Sequence, residues 1–262
     1  MDLENKVVLI TGASSGIGKE LAKKLAHKKT KLILVARREE RLKEVAEGLG
    51  DSVQVIIVRA NVTQRDEVDQ AVQSGIERFG KLDILINVAG QGYFGPIASM
   101  DMKAFDQVVK TNVYGLLNMV QASVPFLKKT QGMVVNISSG LSKRALPFLT
   151  AYASSKSMVD ALSDGMRLEL RKYGIDVLNF CPPETETEFF EKTLHDPKMN
   201  PNAHPRKMAK SEDVAGRIVE AMIAEKREVV EGRFLQIMNF FAPKLLDKMF
   251  YKGMVLKLGG DE

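Results

Sequence analysis

The chain has 262 residues, 45% of them hydrophobic and 27% charged, with a formal net charge of +5. That composition excludes wholesale disorder, and the length suits one large α/β domain or two small ones. The basic residues are scattered along helical stretches, with no aromatic-interleaved basic stripe, which argues against nucleic acid as a partner.

Short apolar or β-branched runs alternate with longer helical patterns from end to end. The runs predict strands at Val7–Ile10, Leu32–Val35, Val53–Val58, Ile84–Asn87, Met133–Ile137, Ile175–Phe180 and Glu228–Val230. Between them, helices are expected over Gly18–His27, Arg38–Leu49, Arg65–Phe79, Lys103–Lys128, Ala151–Tyr173 and Ser211–Ala224. Strands this apolar must be covered on both faces, so the pattern is that of an α/β, Rossmann-type doubly wound parallel sheet. No linker, repeat or low-complexity tract divides the chain, and one domain is expected.

The first strand runs into Thr11-Gly12-Ala13-Ser14-Ser15-Gly16-Ile17-Gly18 and then directly into a helix. Glycines there let the backbone turn sharply and approach a pyrophosphate at the helix N-terminus, the context a dinucleotide site requires. A plain turn with a helix cap would explain one glycine and one serine, not three glycines. After the second strand stand Arg37 and Arg38, where an NAD site usually places an acid. Two guanidinium groups suit a 2′-phosphate instead, and NADP(H) is favoured over NAD. Asn61 and Val62 follow the third strand, and Asn87-Val88-Ala89-Gly90 closes the fourth; both lie at strand carboxyl ends, where this fold binds ligands. Asn112 falls inside a helical pattern, where a buried amide needs partners, so it is either a satisfied packing residue or a functional one. Tyr152 and Lys156 sit four positions apart on one helix face, where the ammonium is expected to pull the phenol pKa down from its usual value of about 10.

Three features closed off other chemistry. Cys181 is the only cysteine, which rules out an internal disulfide, fits a reducing compartment and reads as a buried structural thiol. His27, His195 and His204 are isolated, so no metal site is expected. The N-terminus lacks the basic flank and apolar length of a signal peptide, and no apolar run reaches the roughly 18 residues of a spanning helix, so a cytoplasmic protein is expected.

Taken together, the Thr-Gly-x-x-x-Gly-x-Gly loop, the Asn-x-Ala-Gly after strand four, the helical Asn112, Ser139 and the Tyr152-x-x-x-Lys156 pair closely resemble the classical short-chain dehydrogenase/reductase family. The resemblance implies an oxidoreductase that uses NADP(H) on a small-molecule carbonyl. Tyr152 would be the general acid, Lys156 would lower its pKa and hold the nicotinamide ribose, and Ser139 would hydrogen-bond the carbonyl. Asn112 would position a water chain that returns a proton, and Ser138 is the alternative if the loop is offset by one. Cofactor contacts are implied for Gly12, Ser14, Ser15, Gly16, Ile17, Gly18, Arg37, Arg38, Asn61, Val62, Asn87, Ala89, Gly90, Tyr152, Lys156, Pro182, Thr185 and Thr187. The family also implies a homo-oligomer, through helices resembling Lys103–Lys128 and Ala151–Tyr173.

Two departures bear on the substrate. Asn61 stands where the family commonly has Asp, keeping an acceptor oxygen but losing charge. Pro182-Pro183-Glu184-Thr185-Glu186-Thr187 replaces the usual Pro-Gly, stiffening the turn, and is locally similar to the ketosphinganine reductases. A hydrophobic ketone, with a 3-ketosphinganine-like lipid as one case, is the leading expectation. A steroid, acyl-thioester or other small carbonyl is the alternative, and a catalytically idle NADP-binding sensor or interaction protein is the reading from another class. Residues 189–210 are expected to form a substrate lid. Phe234–Leu258 carries apolar bulk at helical steps with Lys244, Lys248, Lys252 and Lys257 between, split into two helices by Pro243. This amphipathic segment suits peripheral membrane contact, packing over the pocket or a subunit interface.

Overall fold

The computed structural model describes residues 1–199, 208–232 and 234–256. In chain order they form β1 (Val7–Thr11), α1 (Gly16–Ala26), β2 (Lys31–Ala36), α2 (Glu39–Glu47), β3 (Val55–Arg59), α3 (Arg65–Phe79), β4 (Ile84–Asn87) and the short β5 (Tyr93–Phe94). Then come α4 (Met102–Val109), α5 (Gly115–Thr130), β6 (Met133–Ile137), α6 (Thr150–Glu169), β7 (Asp176–Cys181) and the two-residue strands β8 (Thr185–Glu186), β9 (Leu194–His195) and β10 (Ala209–Lys210). The chain continues through α7 (Ser211–Ile223), β11 (Glu228–Val230), α8 (Phe234–Phe241) and α9 (Pro243–Phe250).

Seven strands form one parallel sheet in the order β11-β7-β6-β4-β1-β2-β3. Every residue of β1, β4 and β6 is buried, as expected for central strands covered on both faces. Alternation within β1 divides the core. Val8 and Ile10 face Leu21 and Leu25 of α1 and Ile218 and Met222 of α7. Val7 and Leu9 face Val68 and Val72 of α3, Met119 of α5 and Val159 of α6. The strand order reverses between β1 and β4, which opens a crevice at their carboxyl ends. This is the single-domain, doubly wound architecture that the apolar runs predict.

One expected helix is interrupted. The pattern over Lys103–Lys128 splits into α4 and α5 around a π turn at Lys110–Tyr114 with Asn112 inside it. The wide turn follows from Asn112, whose side chain is drawn off the helix to bond Gln91 and Ser155. In the expected lid, β9 pairs with β5 and β10 with β8, which pins the segment to the strand-four loop and to the residues just before it. Residues 200–207 of that lid, and Lys257 and Leu258 of the C-terminal segment, lie outside the described residues. Pro243 does open a second C-terminal helix.

The glycine turn is also a packing device. A Cβ on Gly18 would lie 2.4 Å from the Gly12 carbonyl oxygen, so any side chain there forces α1 away from β1. Gly18→Ala is expected to lower stability in urea unfolding by about 1–3 kcal/mol. Gly216→Ala, on α7 with open space around it, is expected to be neutral or to stabilise by up to about 1 kcal/mol. Equal effects at the two positions would contradict this account of the turn.

Candidate active site

Thr11 ends β1 and fixes the crevice. Its hydroxyl accepts from the backbone N–H of Val88 (3.0 Å) and Ala89 (3.2 Å), tying the glycine turn to the end of β4. Gly12, Ser14, Ser15, Gly16 and Ile17 then line a cleft of about 460 Å³ running along the strand carboxyl ends. Ser15 makes no side-chain cap on α1, and no acid stands in that helix's first turn. The orphan amides and positive pole at the start of α1 are therefore presented to the cleft, which suits a phosphate.

The two arginines after β2 differ. Arg38 donates to the hydroxyls of Ser14 and Ser15, both at 3.0 Å, and to the Glu188 carboxylate at 2.9 Å. Glu188 also takes the Lys192 ammonium, and these cations, Lys192 foremost, hold its carboxyl down at about 2. Arg37 lines the same cleft, is exposed, and makes no hydrogen bond or ion pair among the described residues. Asn61 and Val62 also line it, but the Asn61 side-chain oxygen accepts from the Thr63 N–H at 3.2 Å. One lone pair of that oxygen is thus used in a local turn, in which the amide NH₂ group takes no part. An uncapped helix start, a turn with no room for a Cβ and a guanidinium pair at the second strand together fit a dinucleotide.

At the other end of the cleft stand Ser139, Tyr152 and Lys156. Tyr152 lies on the first turn of α6 and Lys156 one turn later. The Lys156 ammonium is buried and donates to the Ile137 carbonyl at 2.7 Å, and its Nζ lies 5.9 Å from the Tyr152 ring centre. Burial lowers Lys156 to about 8 and pushes the Tyr152 phenol up to about 12, against a hydrogen bond with Ser139 that pulls the phenol down. The depressed phenol expected from the lysine is therefore absent in the free protein. Desolvation outweighs the ammonium, which is turned toward the end of β6. Ser138, the alternative serine, points inward and donates to the Lys156 carbonyl at 3.1 Å, so Ser139 is the serine beside the phenol.

Asn112 does not line the cleft. Its oxygen accepts from the Gln91 N–H at 2.7 Å, and its amide donates to the Gln91 carbonyl (2.9 Å) and the Ser155 hydroxyl (2.8 Å). Both side-chain donors are used, so it braces the strand-four loop against α6 and has no donor left for water. Asn87 is likewise internal, donating to Asn136 on β6 at 3.0 Å while its own oxygen is buried without a hydrogen bond. Gly18 lies beneath the turn, whereas Ala89 and Gly90 reach the cleft. Beyond β7, the Pro182 carbonyl accepts from Gly140 at 2.9 Å. The Thr185 hydroxyl donates to the Pro183 carbonyl at 2.8 Å, and Thr187 accepts from the Phe189 N–H at 3.2 Å. Pro182, Thr185 and Thr187 all line the cleft.

Sequence reasoning missed two features. Phe189 packs against Tyr152 with the rings tilted at 57° and their centres 5.3 Å apart. Its neighbour Glu188 takes Arg38, so one dipeptide touches both ends of the cleft. The i,i+4 spacing of Glu188 and Lys192 gave a local signal for their pair; the Arg38 partner, 150 positions away in sequence, gave none.

A family model described as short chain dehydrogenase matches residues 6–198. An uncharacterized oxidoreductase of Staphylococcus epidermidis is 30% identical over 221 residues, covering 84% of this chain and 92% of the relative. The structure of an alcohol dehydrogenase from Thermococcus sibiricus complexed with 5-hydroxy-NADP is similar, with a TM-score of 0.77, 27% identity and coverage of 86% of this chain and 95% of that one. So is a 3-ketoacyl-(acyl-carrier-protein) reductase from Brucella melitensis complexed with NADH, with a TM-score of 0.77, 28% identity and coverage of 86% and 96%. With the glycine turn, the serine, the tyrosine and the lysine assembled along one cleft, this chain belongs to the short-chain dehydrogenase family of oxidoreductases.

Proposed function

We propose that the protein reduces a hydrophobic ketone to a secondary alcohol with NADPH. The observation that carries the reading is the grouping of Ser139, Tyr152 and Lys156 at the end of a cleft whose opposite end holds Arg37 and Arg38. When bound, the cofactor supplies the hydride. Tyr152 supplies the proton to the carbonyl oxygen, and because its phenol is pushed up to about 12 it is fully protonated at neutral pH. The Ser139 hydroxyl, beside that phenol, is the donor that meets the same oxygen as its charge develops. Lys156 is an ammonium below about pH 8 and neutral above it, so its charge is available to the phenolate left behind only on the lower side. Asn112 acts as a positioning residue that keeps Ser155, and with it the first turns of α6, in place.

The choice of NADP(H) rests on two cations and no acid at the end of β2. Arg37 is unengaged, and Arg38 is held by a carboxylate that a phosphate would compete with. The related structures carry both an NADP derivative and NADH, which supports a nicotinamide cofactor in either form. For the substrate, Leu141, Leu146, Leu149, Phe189 and Phe190 line the cleft around Tyr152, an apolar chamber suited to a long or bulky chain. The Pro182-Pro183 turn, through its likeness to the ketosphinganine reductases, makes a 3-ketosphinganine-like lipid the specific candidate.

With NADPH as reductant, turnover is expected to rise along a series from short polar ketones to long-chain 3-keto amines; preference for the short polar members contradicts the hydrophobic reading. In cofactor titrations, Arg37→Ala and Arg38→Ala are each expected to lower the preference for NADPH over NADH by about tenfold or more. Glu188→Gln is expected to raise it, because Arg38 loses its internal anion. An unchanged ratio in all three variants contradicts NADP(H).

A further inference from the structure

The C-terminal helices leave an apolar face uncovered. On α8, Ile237, Phe240 and Phe241 share one side by their i, i+3, i+4 spacing, and Phe240 and Phe241 are 80% and 78% exposed. On α9, Leu245 and Met249 are more than half exposed, as is Leu256 beyond it. Scattered exposed apolar residues need no explanation, but two touching phenylalanines this exposed, with ring centres 5.0 Å apart, mark a surface built for a partner.

Charge identifies the partner. Between Phe234 and Leu256 the chain carries three lysines, Lys244, Lys248 and Lys252, and a single acid, Asp247. The lysines are all exposed and form no ion pair among the described residues. Asp247 is paired with Arg144, so the three lysines are the unpaired charges of this segment among the described residues. Phenylalanine and leucine interleaved with unpaired lysines on short helices is the chemistry of an anionic lipid interface. Neither helix can do more than lie on it: no helix among the described residues is long and apolar enough to cross a membrane.

The face is held at the rim of the cleft in two ways. Glu231 and Gly232, which line the cleft, lie within three positions of the start of α8. Arg144, on the loop between Ser139 and α6, pairs with Asp247 and sits 6.0 Å over the Phe250 ring. Leu246, 1% exposed, is the buried side chain of α9. We infer that α8 and α9 dock the protein on an anionic bilayer, with the apolar end of the cleft beside the lipid surface. This docking is independent of which carbonyl is reduced.

The test is flotation of the full-length protein with vesicles of phosphatidylcholine, with and without phosphatidylserine, read beside sedimentation velocity without lipid. The wild-type chain is expected to float with the serine-containing vesicles and to be released as salt is raised. The double variant Phe240→Ser/Phe241→Ser is expected to lose partitioning by about tenfold or more. Lys244→Glu/Lys248→Glu is expected to lose a similar factor on phosphatidylserine vesicles only. These side chains are exposed, and an unchanged thermal midpoint confirms that each variant folds. Failure of the wild type to float with phosphatidylserine vesicles overturns the proposal, as does unchanged partitioning in both double variants. A dimer that the phenylalanine variant alone converts to monomers, without vesicle binding, would assign the face to a second copy and overturn it equally.

Discussion

A buried cation organises the reactive end of this protein. The Lys156 ammonium lies under the first turns of α6 and gives a hydrogen bond to the last carbonyl of β6, at Ile137. In return the Ser138 hydroxyl, one residue beyond that strand, bonds the Lys156 carbonyl. Asn112 grips the neighbouring Ser155 from the π turn. Helix, strand end and interrupted helix are thereby locked together through three hydrogen bonds. Burying an ammonium is unfavourable, and the fall of Lys156 to about 8 expresses that cost. The same desolvation raises the adjacent phenol to about 12. The site thus holds a tyrosine that keeps its proton and a lysine poised near neutrality, a combination that fits proton delivery better than either ordinary value would.

The segment after β7 belongs to both halves of the cleft. Thr187 packs against Gly16, close enough that a Cβ there would come within 2.7 Å of its methyl group. Glu188 then reaches Arg38, and Phe189 covers Tyr152. Because the residues are consecutive, a single stretch of backbone lines both the arginine end and the tyrosine end. Pro182 and Pro183 stiffen its start, and the pairing of β9 with β5 fixes its far end.

Most of the fold was legible because it rests on local signals. Apolar β-branched runs marked every strand of the main sheet, and the two-faced burial of β1, β4 and β6 is what those runs imply. Gly12, Gly16 and Gly18 located the turn for a steric reason that one sequence can reveal. Tyr152 and Lys156 were legible through helical spacing and the family resemblance, although the direction of the phenol's shift was not. That direction depends on solvent exclusion by Phe189 and the surrounding loops, which spacing does not encode. The π turn at Asn112 was hidden for a similar reason: Gln91 and Ser155, which pull the side chain out of register, are 21 and 43 positions away. Arg38 read as a free phosphate ligand because Glu188 becomes its neighbour only in the folded chain.

The central claim is that Tyr152 delivers the proton and does so from within this locked helix. Single-turnover oxidation of NADPH by Tyr152→Phe, with any ketone the wild type accepts, tests it most directly. The hydride-transfer rate is expected to fall by about 10²- to 10⁴-fold while NADPH affinity is kept within about threefold. A wild-type rate in that variant would remove Tyr152 from the chemistry and contradict the account.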